Sequence, residues 1–285
     1  MRKHIGWIAL DIDGTITDET HHAPAQVIHF LHLLEKRGWE LIFITGRTYS
    51  FGYRVVKEFD FPFYLAVQNG ADILYMPSKE RVARHYLDDK AIPILDAAYR
   101  GEKEDFLIYA GYEHGDFCYY RPDRFSPAYI EHLHKIMALS PERWKPVQNF
   151  DFEKGISFPL AKCLGSKEAM QRVTSLLETH PNLSATMIRD PLGEGIYLIL
   201  VTAKQATKGN ALQIIKQVMG DGGPVIAAGD DLNDISMLQI ADVKIVMSSA
   251  PPEMHPMATI LAEHGEQHGI IEALTKATEM GFLSK

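Results

Sequence analysis

The stretch from Trp7 to Thr15, with the sequence WIALDIDGT, joins a buried strand to two acidic side chains. Its first four residues are apolar and predict a strand. Asp11 and Asp13 follow, and because side chains alternate along an extended chain, both carboxylates can leave the strand end on the same side. Carboxylates this close stay ionised together only beside a cation, or one takes up a proton. The stretch therefore indicates metal or acid–base chemistry, although an ordinary Asp-Gly turn has the same local sequence.

Strands and helices alternate after this stretch. Pro24 opens a helical pattern that ends at Gly38, and basic residues followed by glycine are a typical helix end. Two further buried strands are predicted over residues 39–44 and 62–67, with a helix over 49–59 between them. This alternation predicts an α/β fold, a Rossmann-like parallel sheet with helices on both faces. Such sheets bind ligands at the carboxyl ends of their strands.

The middle of the chain breaks this pattern with shorter, irregular elements. Short strands are predicted over 107–110, 117–120, 161–164, 187–189 and 195–201, and helices over 126–139 and 166–179. The earlier pattern then resumes with helices over 208–219, 235–239 and 270–280 and strands over 225–228 and 243–247. We therefore predict a discontinuous core domain over residues 1–82 and 202–285, interrupted by an inserted α+β domain over 83–201.

A second acidic segment, Gly229 to Asp234, follows one of the later predicted strands. If the sheet is parallel, its carboxylates lie at the same edge as Asp11 and Asp13. Crowded carboxylates need a cation, and a site made only of oxygen ligands suits Mg²⁺. Taken alone, the segment could also be a solvated loop in which Asp234 begins a helix.

A lysine and a short turn add positive charge and hydrogen-bond donors. Thr207 is a predicted helix N-cap, which places Lys208 in the first turn, where a cation opposes the helix dipole by roughly 0.3–1 kcal/mol. A carboxylate or a bound phosphate near Lys208 would offset this cost. The turn Thr45-Gly46-Arg47 joins a strand to a helix, where a hydroxyl and backbone N–H groups can hold phosphate oxygens. We interpret Arg47 as structural, or as lying behind the residues that touch the phosphate, rather than as a phosphate ligand.

The amino-acid composition argues against several classes of function. The chain has 285 residues, 46% of them hydrophobic, and a net charge of -8, which disfavours a nucleic-acid surface. The cysteines, Cys118 and Cys163, are far apart and form no CxxC motif, so they indicate a reducing compartment and no zinc site. No apolar run approaches the ~20 residues that cross a bilayer, and the short one after Lys3 is no signal peptide. We expect a soluble cytoplasmic protein with a small-molecule partner and no membrane or nucleic-acid partner.

These parts match the needs of phosphoryl transfer: a nucleophile, a cation, a second positive charge and a proton donor for the leaving group. Asp11 as nucleophile would form an aspartyl phosphate, and Asp13 would protonate the leaving oxygen and later activate water. Ser and Cys nucleophiles have no support, because the sequence contains no GxSxG motif and neither cysteine lies beside a histidine at a predicted strand end.

The chain resembles the haloacid dehalogenase superfamily, specifically the Cof-type phosphatases with a type IIB cap. Four motifs occur in the family's order. They are Asp11-Ile12-Asp13-Gly14-Thr15, Thr45-Gly46-Arg47, Lys208-Gly209-Asn210-Ala211-Leu212 and Gly229-Asp230-Asp231-Leu232-Asn233-Asp234, with Gln68-Asn69-Gly70-Ala71 and Met247-Ser248-Ser249-Ala250-Pro251 as further landmarks. The family often has Gly-Asn at Ser248-Ser249 and a lysine near His255, so loop geometry there is expected to differ.

The resemblance implies a role for each matching residue. Asp11 would be the nucleophile and Asp13 the acid and base. Mg²⁺ would be held by the Asp11 carboxylate, the Asp13 backbone carbonyl and Asp230, with Asp234 acting through water or behind these ligands. The phosphate would be held by the group Thr45, Gly46, Lys208, Asn233 and the backbone amide of Ile12. The middle region would be a mobile cap that sets specificity.

The resulting hypothesis is a Mg²⁺-dependent phosphatase that acts on a small phosphorylated metabolite and favours a sugar phosphate. A sugar phosphomutase of the same superfamily and a non-catalytic sensor of phosphorylated ligands are the alternatives. Product analysis separates the mutase, and inactivity against a broad panel of phosphate esters would favour the sensor. Arg189, Glu194 and Tyr197 are candidate substrate contacts in the cap, with plain solvent exposure as the alternative reading.

Overall fold

The computed structural model describes residues 4–18, 22–151, 156–190, 192–220, 222–263 and 269–280. The chain forms two compact units, which are described separately. The first contains residues 1–47, 52–84 and 207–285, and the second contains residues 48–51 and 85–206. No helix in the described ranges is both long and apolar enough to span a membrane.

The first unit is built on an eight-stranded sheet in which most neighbours run parallel. Its strands are β1 (Gly6–Leu10), β2 (Trp39–Ile44), β3 (Phe63–Val67), β4 (Asp72–Met76), β5 (Glu80–Arg84), β14 (Val225–Gly229), β15 (Val243–Met247) and β16 (Ile260–Ala262). Their order across the sheet is β16-β15-β14-β1-β2-β3-β4-β5. Pairing is parallel from β16 to β3, and β4 and β5 add antiparallel strands at one edge.

Helices cover this sheet. They are α1 (Ala25–Arg37), α6 (Lys208–Met219), α7 (Ile235–Leu238), α8 (Gly269–Glu279) and the part of α2 (Tyr49–Val56) from Gly52 onward. On one face, Ala9 and Ile42 of the strands pack with Leu212 of α6 and Met237 of α7. On the other side, α1 contacts β2 and α8. Strands of a parallel sheet are typically covered on both faces, so nearly every side chain along them is apolar. The parallel strands of this sheet show that pattern of continuous apolar runs.

Local sequence sets the ends of α1. Pro24 is its N-cap residue, and the helix ends at Gly38, whose φ of 106° only glycine adopts without strain. Val27, Leu31 and Leu34 recur at helical spacing and are buried. The predicted helix from Pro24 to Gly38 therefore matches the structure.

The second unit is built on a six-stranded sheet with the order β12-β13-β11-β7-β8-β9. The strands are β7 (Phe106–Tyr109), β8 (Phe117–Tyr120), β9 (Arg143–Pro146), β11 (Leu160–Gly165), β12 (Leu183–Arg189) and β13 (Tyr197–Ala203); β6 (Leu87–Asp88) and β10 (Ser157–Phe158) pair separately. Its helices are α3 (Ala91–Ala98), α4 (Pro127–Leu139) and α5 (Lys167–Leu177). Neighbouring strands are antiparallel, except that β8 and β9 are parallel.

Each face of this second sheet has its own apolar core. Phe106, Ile108 and Ile199 pack on one face with the helices α3 and α5. Leu107, Leu164 and Leu198 pack on the other face with Leu133 of α4. The strand pair predicted around 187–201 is present as β12 and β13, while Pro191 in the turn between them lies outside the described residues.

The predicted fold class is confirmed: a parallel α/β sheet core with helices, together with a second α+β unit. Edge strands, short strands and one helix add detail that the sequence analysis did not contain. These are β4, β5, β6, β9, β10, β16 and α3.

Candidate active site

Three neighbouring strands of the first sheet end at the predicted site. In the parallel register, Leu10 lies opposite Phe43 on one side and Ala228 on the other, so the carboxyl ends of β1, β2 and β14 are level. Asp11 follows β1 directly, and its backbone N–H donates to the carbonyl of Ala228 at 3.0 Å. The sheet therefore brings residues 11, 45 and 230 to one edge, as the sequence analysis expected.

Lys208 lies between two of the predicted acidic residues. Its Nζ donates to Oδ1 of Asp11 at 2.5 Å and to Oδ1 of Asp234 at 2.7 Å. The N-cap residue Thr207 accepts from the N–H of Asn210 at 3.2 Å, so Lys208 does begin α6. Only 2% of Lys208 is exposed. The two carboxylates thus offset the unfavourable position of this cation at the helix N-terminus.

Asp234 organises the acidic loop that follows β14. One of its oxygens bonds to Lys208, and the other accepts the backbone N–H groups of Asp230 and Asp231 at 3.0 Å each. Gly229 precedes this loop because a Cβ there would lie 2.3 Å from the Asp234 carboxyl carbon. The fully buried Asp234 carboxylate therefore fixes the loop backbone while it faces Lys208.

Burial and mutual repulsion shift the pKa values of the acidic residues. Burial raises the pKa of Asp11 well above its usual value, Lys208 opposes that rise, and the carboxylate of Asp234 adds to it. Burial, followed by the charge of Asp234, raises the pKa of Asp230 to about 6. For Lys208, burial favours the neutral amine, but Asp11 and Asp234 outweigh it and raise the pKa. The site has an excess of negative charge that one ammonium group does not neutralise.

The acidic residues fit a divalent cation. One carboxylate oxygen from each of Asp11, Asp230 and Asp234 lies within 4.8 Å of the others. Gly14 makes room for this cluster: its φ is +67°, and a Cβ there would lie 2.0 Å from Oδ2 of Asp230. Carboxylate oxygens are the ligands that Mg²⁺ prefers, so the donor set suits that ion.

Asp13 lies outside this cluster of carboxylates. Its Oδ2 accepts Nε of Arg47 at 2.7 Å, and its Oδ1 accepts Nη2 of the same guanidinium. The bidentate geometry is that of a strong, directional ion pair. The structure therefore gives Arg47 a direct contact with the predicted acid and base, in agreement with a position behind the residues that touch the phosphate.

The predicted phosphate-binding residues lie around the turn after β2. Thr45 is buried, and its Oγ1 accepts the backbone N–H of Arg47 at 3.1 Å. Gly46 is exposed, and a Cβ there would lie 3.4 Å from Oδ1 of Asn69 and 3.8 Å from Nδ2 of Asn233. The side chain of Ile12 is fully buried in the core, so only its backbone is available to a ligand.

Asn69 is a site residue that the sequence analysis did not include among the phosphate-binding candidates. Its Oδ1 accepts Nδ2 of Asn233 at 3.2 Å. Gln68 and Asn69 both have positive φ, 50° and 58°, a backbone conformation that non-glycine residues rarely adopt. The available signal was the motif Gln68-Asn69-Gly70 at a strand end, and strained backbone of this kind is found at functional sites.

The three candidate contacts in the second unit have different surroundings. Arg189 and Glu194 are exposed near the turn between β12 and β13. Tyr197 is half-buried and packs against the core of that unit. Their role in substrate binding remains a prediction.

Comparisons with known proteins match nearly the whole chain. A model of the haloacid dehalogenase-like hydrolases matches residues 8–274. A phosphoglycolate phosphatase of Methanothermobacter thermautotrophicus is 23% identical over 275 residues, covering 94% of this chain and 97% of that protein.

Two solved structures share the fold. A haloacid dehalogenase-like hydrolase from Bacteroides thetaiotaomicron has a TM-score of 0.78 at 20% identity, covering 96% of this chain and 100% of that chain. The subclass IIB sugar phosphatase BT4131 has a TM-score of 0.71 at 18% identity, covering 95% of this chain and 98% of that chain. The resemblance drawn from the four motifs is confirmed.

Proposed function

Because the chain belongs to the haloacid dehalogenase-like hydrolases and is a phosphatase of that family, we propose that its substrate is a small phosphorylated metabolite. The proposed reaction is a hydrolysis that requires Mg²⁺ and proceeds through a phosphorylated Asp11. The observation that carries this proposal is the buried Lys208, which bonds to Asp11 at 2.5 Å beside the further carboxylates of Asp230 and Asp234. A lysine held there favours the ionised form of Asp11, against the burial that raises its pKa, and offers positive charge to a phosphate.

In the proposed chemistry, Asp11 is the nucleophile and Asp13 is the acid and base. A carboxylate oxygen of Asp11 attacks phosphorus, the bond from phosphorus to the leaving oxygen breaks, and Asp13, which enters this step protonated, gives that oxygen its proton. Asp13 then takes a proton from water, which attacks the phosphoryl group and releases Asp11 and phosphate. When Asp13 is ionised, the form that takes a proton from water, Arg47 positions its carboxylate through the bidentate ion pair.

Phosphate oxygens would be held by the groups around the turn after β2. Thr45, Gly46, Asn233, Lys208 and the backbone amide of Ile12 are the proposed donors. In this arrangement the exposed Gly46 lets the phosphate approach the backbone closely.

The proposed Mg²⁺ ligands are the Asp11 carboxylate, the Asp13 backbone carbonyl and Asp230. Asp234 would act through water, since both of its oxygens already accept hydrogen bonds from the protein. When bound, the ion supplies positive charge that offsets the negative charge of the carboxylates and the phosphate.

The second unit is proposed to be the cap, inserted into a core formed by residues 1–82 and 202–285. We propose a sugar phosphate as the substrate class, which is supported by the fold shared with the sugar phosphatase BT4131. The cytoplasm is the proposed compartment, from the two unpaired, buried cysteines.

Replacing Asp11 with Asn tests the proposed nucleophile. Phosphate release from p-nitrophenyl phosphate is measured with Mg²⁺ and with EDTA, and Asp11→Asn should abolish it while circular dichroism shows an intact fold. Asp123→Asn, which changes an exposed aspartate of the second unit, is the matched control and should keep wild-type turnover. Turnover of Asp11→Asn near the wild-type rate would refute the assignment, and wild-type turnover that EDTA leaves unchanged would refute the metal requirement.

A further inference from the structure

The second unit contains a polar cavity of about 440 Å³. Residues at the end of α3, before β7 and after β8 line it, and all of the lining residues belong to the second unit. Seven of the ten lining residues have a charged side chain. A ligand in this cavity would therefore be recognised mainly through its charge.

Arg121 is the most buried of the arginines at this cavity, with only 5% of the residue exposed. Its Nε and Nη2 donate to the two oxygens of Asp105 at 2.7 and 2.6 Å, and Nη2 also donates to Asp96 at 2.8 Å. A guanidinium has five N–H groups, and these bonds leave the two on Nη1. Neither of them has an acceptor in the part of the chain that the structure describes. A buried donor without an acceptor is costly, so Nη1 calls for a partner from outside the chain.

The guanidinium of Arg121 is held in place, and one end of it is open. The rings of Phe106 and Phe150 lie against it, with their centres 4.9 and 4.4 Å from Cζ. The side chain of Asp96, which accepts from Nη2, is 46% exposed, so protein does not enclose this end of the guanidinium. Nη1 is not a sealed atom either. Since Arg121 lines the cavity, its free N–H groups are fixed in position and within reach of a ligand there.

The other carboxylates at the cavity already have partners within the second unit. Glu102 accepts Nε and Nη2 of Arg172 at 3.0 Å each. Glu104 accepts the backbone N–H of Ser126 at 3.1 Å. A bound cation would have to compete with these donors, so the carboxylates do not favour a cation site.

Two more arginines at the cavity have no such partner. Arg100 and Arg124 are exposed, and neither forms an ion pair or hydrogen bond with any residue in the described ranges. Together with Nη1 of Arg121, they give the cavity three guanidinium groups with free N–H donors. Guanidinium groups bind the oxygens of carboxylates and phosphates through charge-assisted hydrogen bonds, often in pairs.

We propose that this cavity binds an oxyanion, the phosphate or carboxylate group of a small molecule. Arg121 is the buried anchor of this site, and Arg100 and Arg124 bind the anion from the exposed side. The anion supplies the acceptor that Nη1 of Arg121 lacks. The inference is independent of the proposed function, because none of these residues acts in the proposed chemistry.

Isothermal titration calorimetry of the full chain tests the site with inorganic phosphate, succinate and the cation spermidine. EDTA is present to remove metal from the first unit, where phosphate would be a reaction product. Phosphate or succinate should bind at one site per chain with a Kd below about 10 mM, and spermidine should not bind. The anion that binds more tightly shows whether the site takes a phosphate or a carboxylate.

Variants locate the bound anion. Arg100→Gln/Arg124→Gln removes both exposed guanidinium groups and should raise the Kd at least ten-fold. This variant should fold, because neither side chain has a partner in the described chain. Arg121→Lys keeps a cation for Asp105 but removes Nη1, and it should also raise the Kd at least ten-fold. Arg143→Gln changes an exposed arginine of the same unit that does not line the cavity, so this control should keep the Kd within two-fold.

Three results would overturn the inference: no saturable binding of either anion, binding of spermidine in preference to both, or a Kd that Arg100→Gln/Arg124→Gln leaves unchanged. The last result would place the anion elsewhere on the chain. Thermal melting shows whether each variant is folded, and if Arg121→Lys is not, the double variant alone decides. Hydrolysis of p-nitrophenyl phosphate that depends on Asp11 would leave the proposed function standing even when the inference fails.

Discussion

Removing the charge of Lys208 should destabilise the first unit strongly when no metal is bound. In Lys208→Met, the carboxylates of Asp11 and Asp234 lose an ammonium that donates to them at 2.5 and 2.7 Å. Asp11 is 4% exposed and Asp234 is 0% exposed, so water cannot replace the lost donor. Leaving a buried charge without its partner costs about 3–5 kcal/mol.

We expect a loss near the lower end, ~3 kcal/mol, at pH 7.5, because Asp11 can take up a proton instead of remaining charged. Burial already raises the pKa of Asp11, and losing Lys208 raises it further. A carboxyl group whose pKa is raised in the folded state stabilises the fold at low pH and loses that contribution as pH rises through the raised pKa. The deficit of Lys208→Met should therefore shrink at pH 5.

The assay is urea denaturation in EDTA, followed by tryptophan fluorescence in a Trp144→Phe background, so that the signal comes from Trp7 and Trp39, which both belong to the first unit. With an m-value of about 2 kcal/mol/M, the loss moves the midpoint down by about 1–2 M. Combining Lys208→Met with Asp11→Asn should recover part of the stability, since one unpaired carboxylate is gone. Lys57→Met, at an exposed position of the first unit, should change stability by about 0.5 kcal/mol or less.

A loss below about 1 kcal/mol would refute this reasoning, because it would mean that the carboxylates do not depend on Lys208. A loss of equal size at pH 5 and pH 7.5 would also refute it. In that case packing of the lysine stem, and not its charge, would account for the effect.

Two further predictions concern charges in each unit. The pKa of Asp230 is raised to about 6, so without metal its carboxyl stabilises the fold below about pH 4 and loses that contribution as pH rises through 6. Asp230→Asn should therefore have a higher melting temperature than the wild type at pH 7 in EDTA. Added Mg²⁺ should raise the melting temperature of the variant less than that of the wild type. Equal increases with Mg²⁺ would contradict the role of Asp230 as a ligand. In the second unit, Arg121 donates to Asp105 at 2.6 and 2.7 Å and lies 4.4 Å from the Phe150 ring centre. Arg121→Leu should lower the free energy of unfolding by ~3–5 kcal/mol, measured by thermal or urea unfolding. The double variant Arg121→Leu/Asp105→Leu should recover part of that loss. If it recovers none, the broken ion pair is not the cause of the loss.

The parallel core could be predicted because its strands are buried on both faces. Continuous apolar runs mark such strands, so β2 and β15 have the predicted bounds. Caps mark the helices, so α6, with Thr207 at its N-cap, also has the predicted bounds. The hairpin of β4 and β5 was not predicted, since the sequence of β5, ERVAR, is charged and lies at the sheet edge. The helix α3 was not predicted because Pro93 lies inside it, and proline usually breaks a helix. Here Pro93 is in the first turn, where proline is tolerated.

The partners of site residues were harder to predict than their positions. Sequence motifs placed Asp11, Thr45 and Lys208 at strand and helix ends, and parallel topology brought those ends together. Whether Arg47 bonds to Asp13 or points to solvent depends on side-chain geometry across 34 residues of chain, which no local pattern encodes.

The site's charges explain why a divalent cation fits this arrangement. Four carboxylates, of Asp11, Asp13, Asp230 and Asp234, meet two cations, Lys208 and Arg47. Arg47 is bound to Asp13 in a bidentate pair, so the remaining three carboxylates share the single charge of Lys208, which leaves two negative charges in excess. Burial raises the pKa values of Asp11 and Asp230, and the charge of Asp234 adds to both shifts. One divalent ion would balance the excess negative charge. A monovalent ion would leave the site negative and repel a phosphate, so K⁺ or Na⁺ should not replace Mg²⁺ in supporting turnover, whereas Mn²⁺ should.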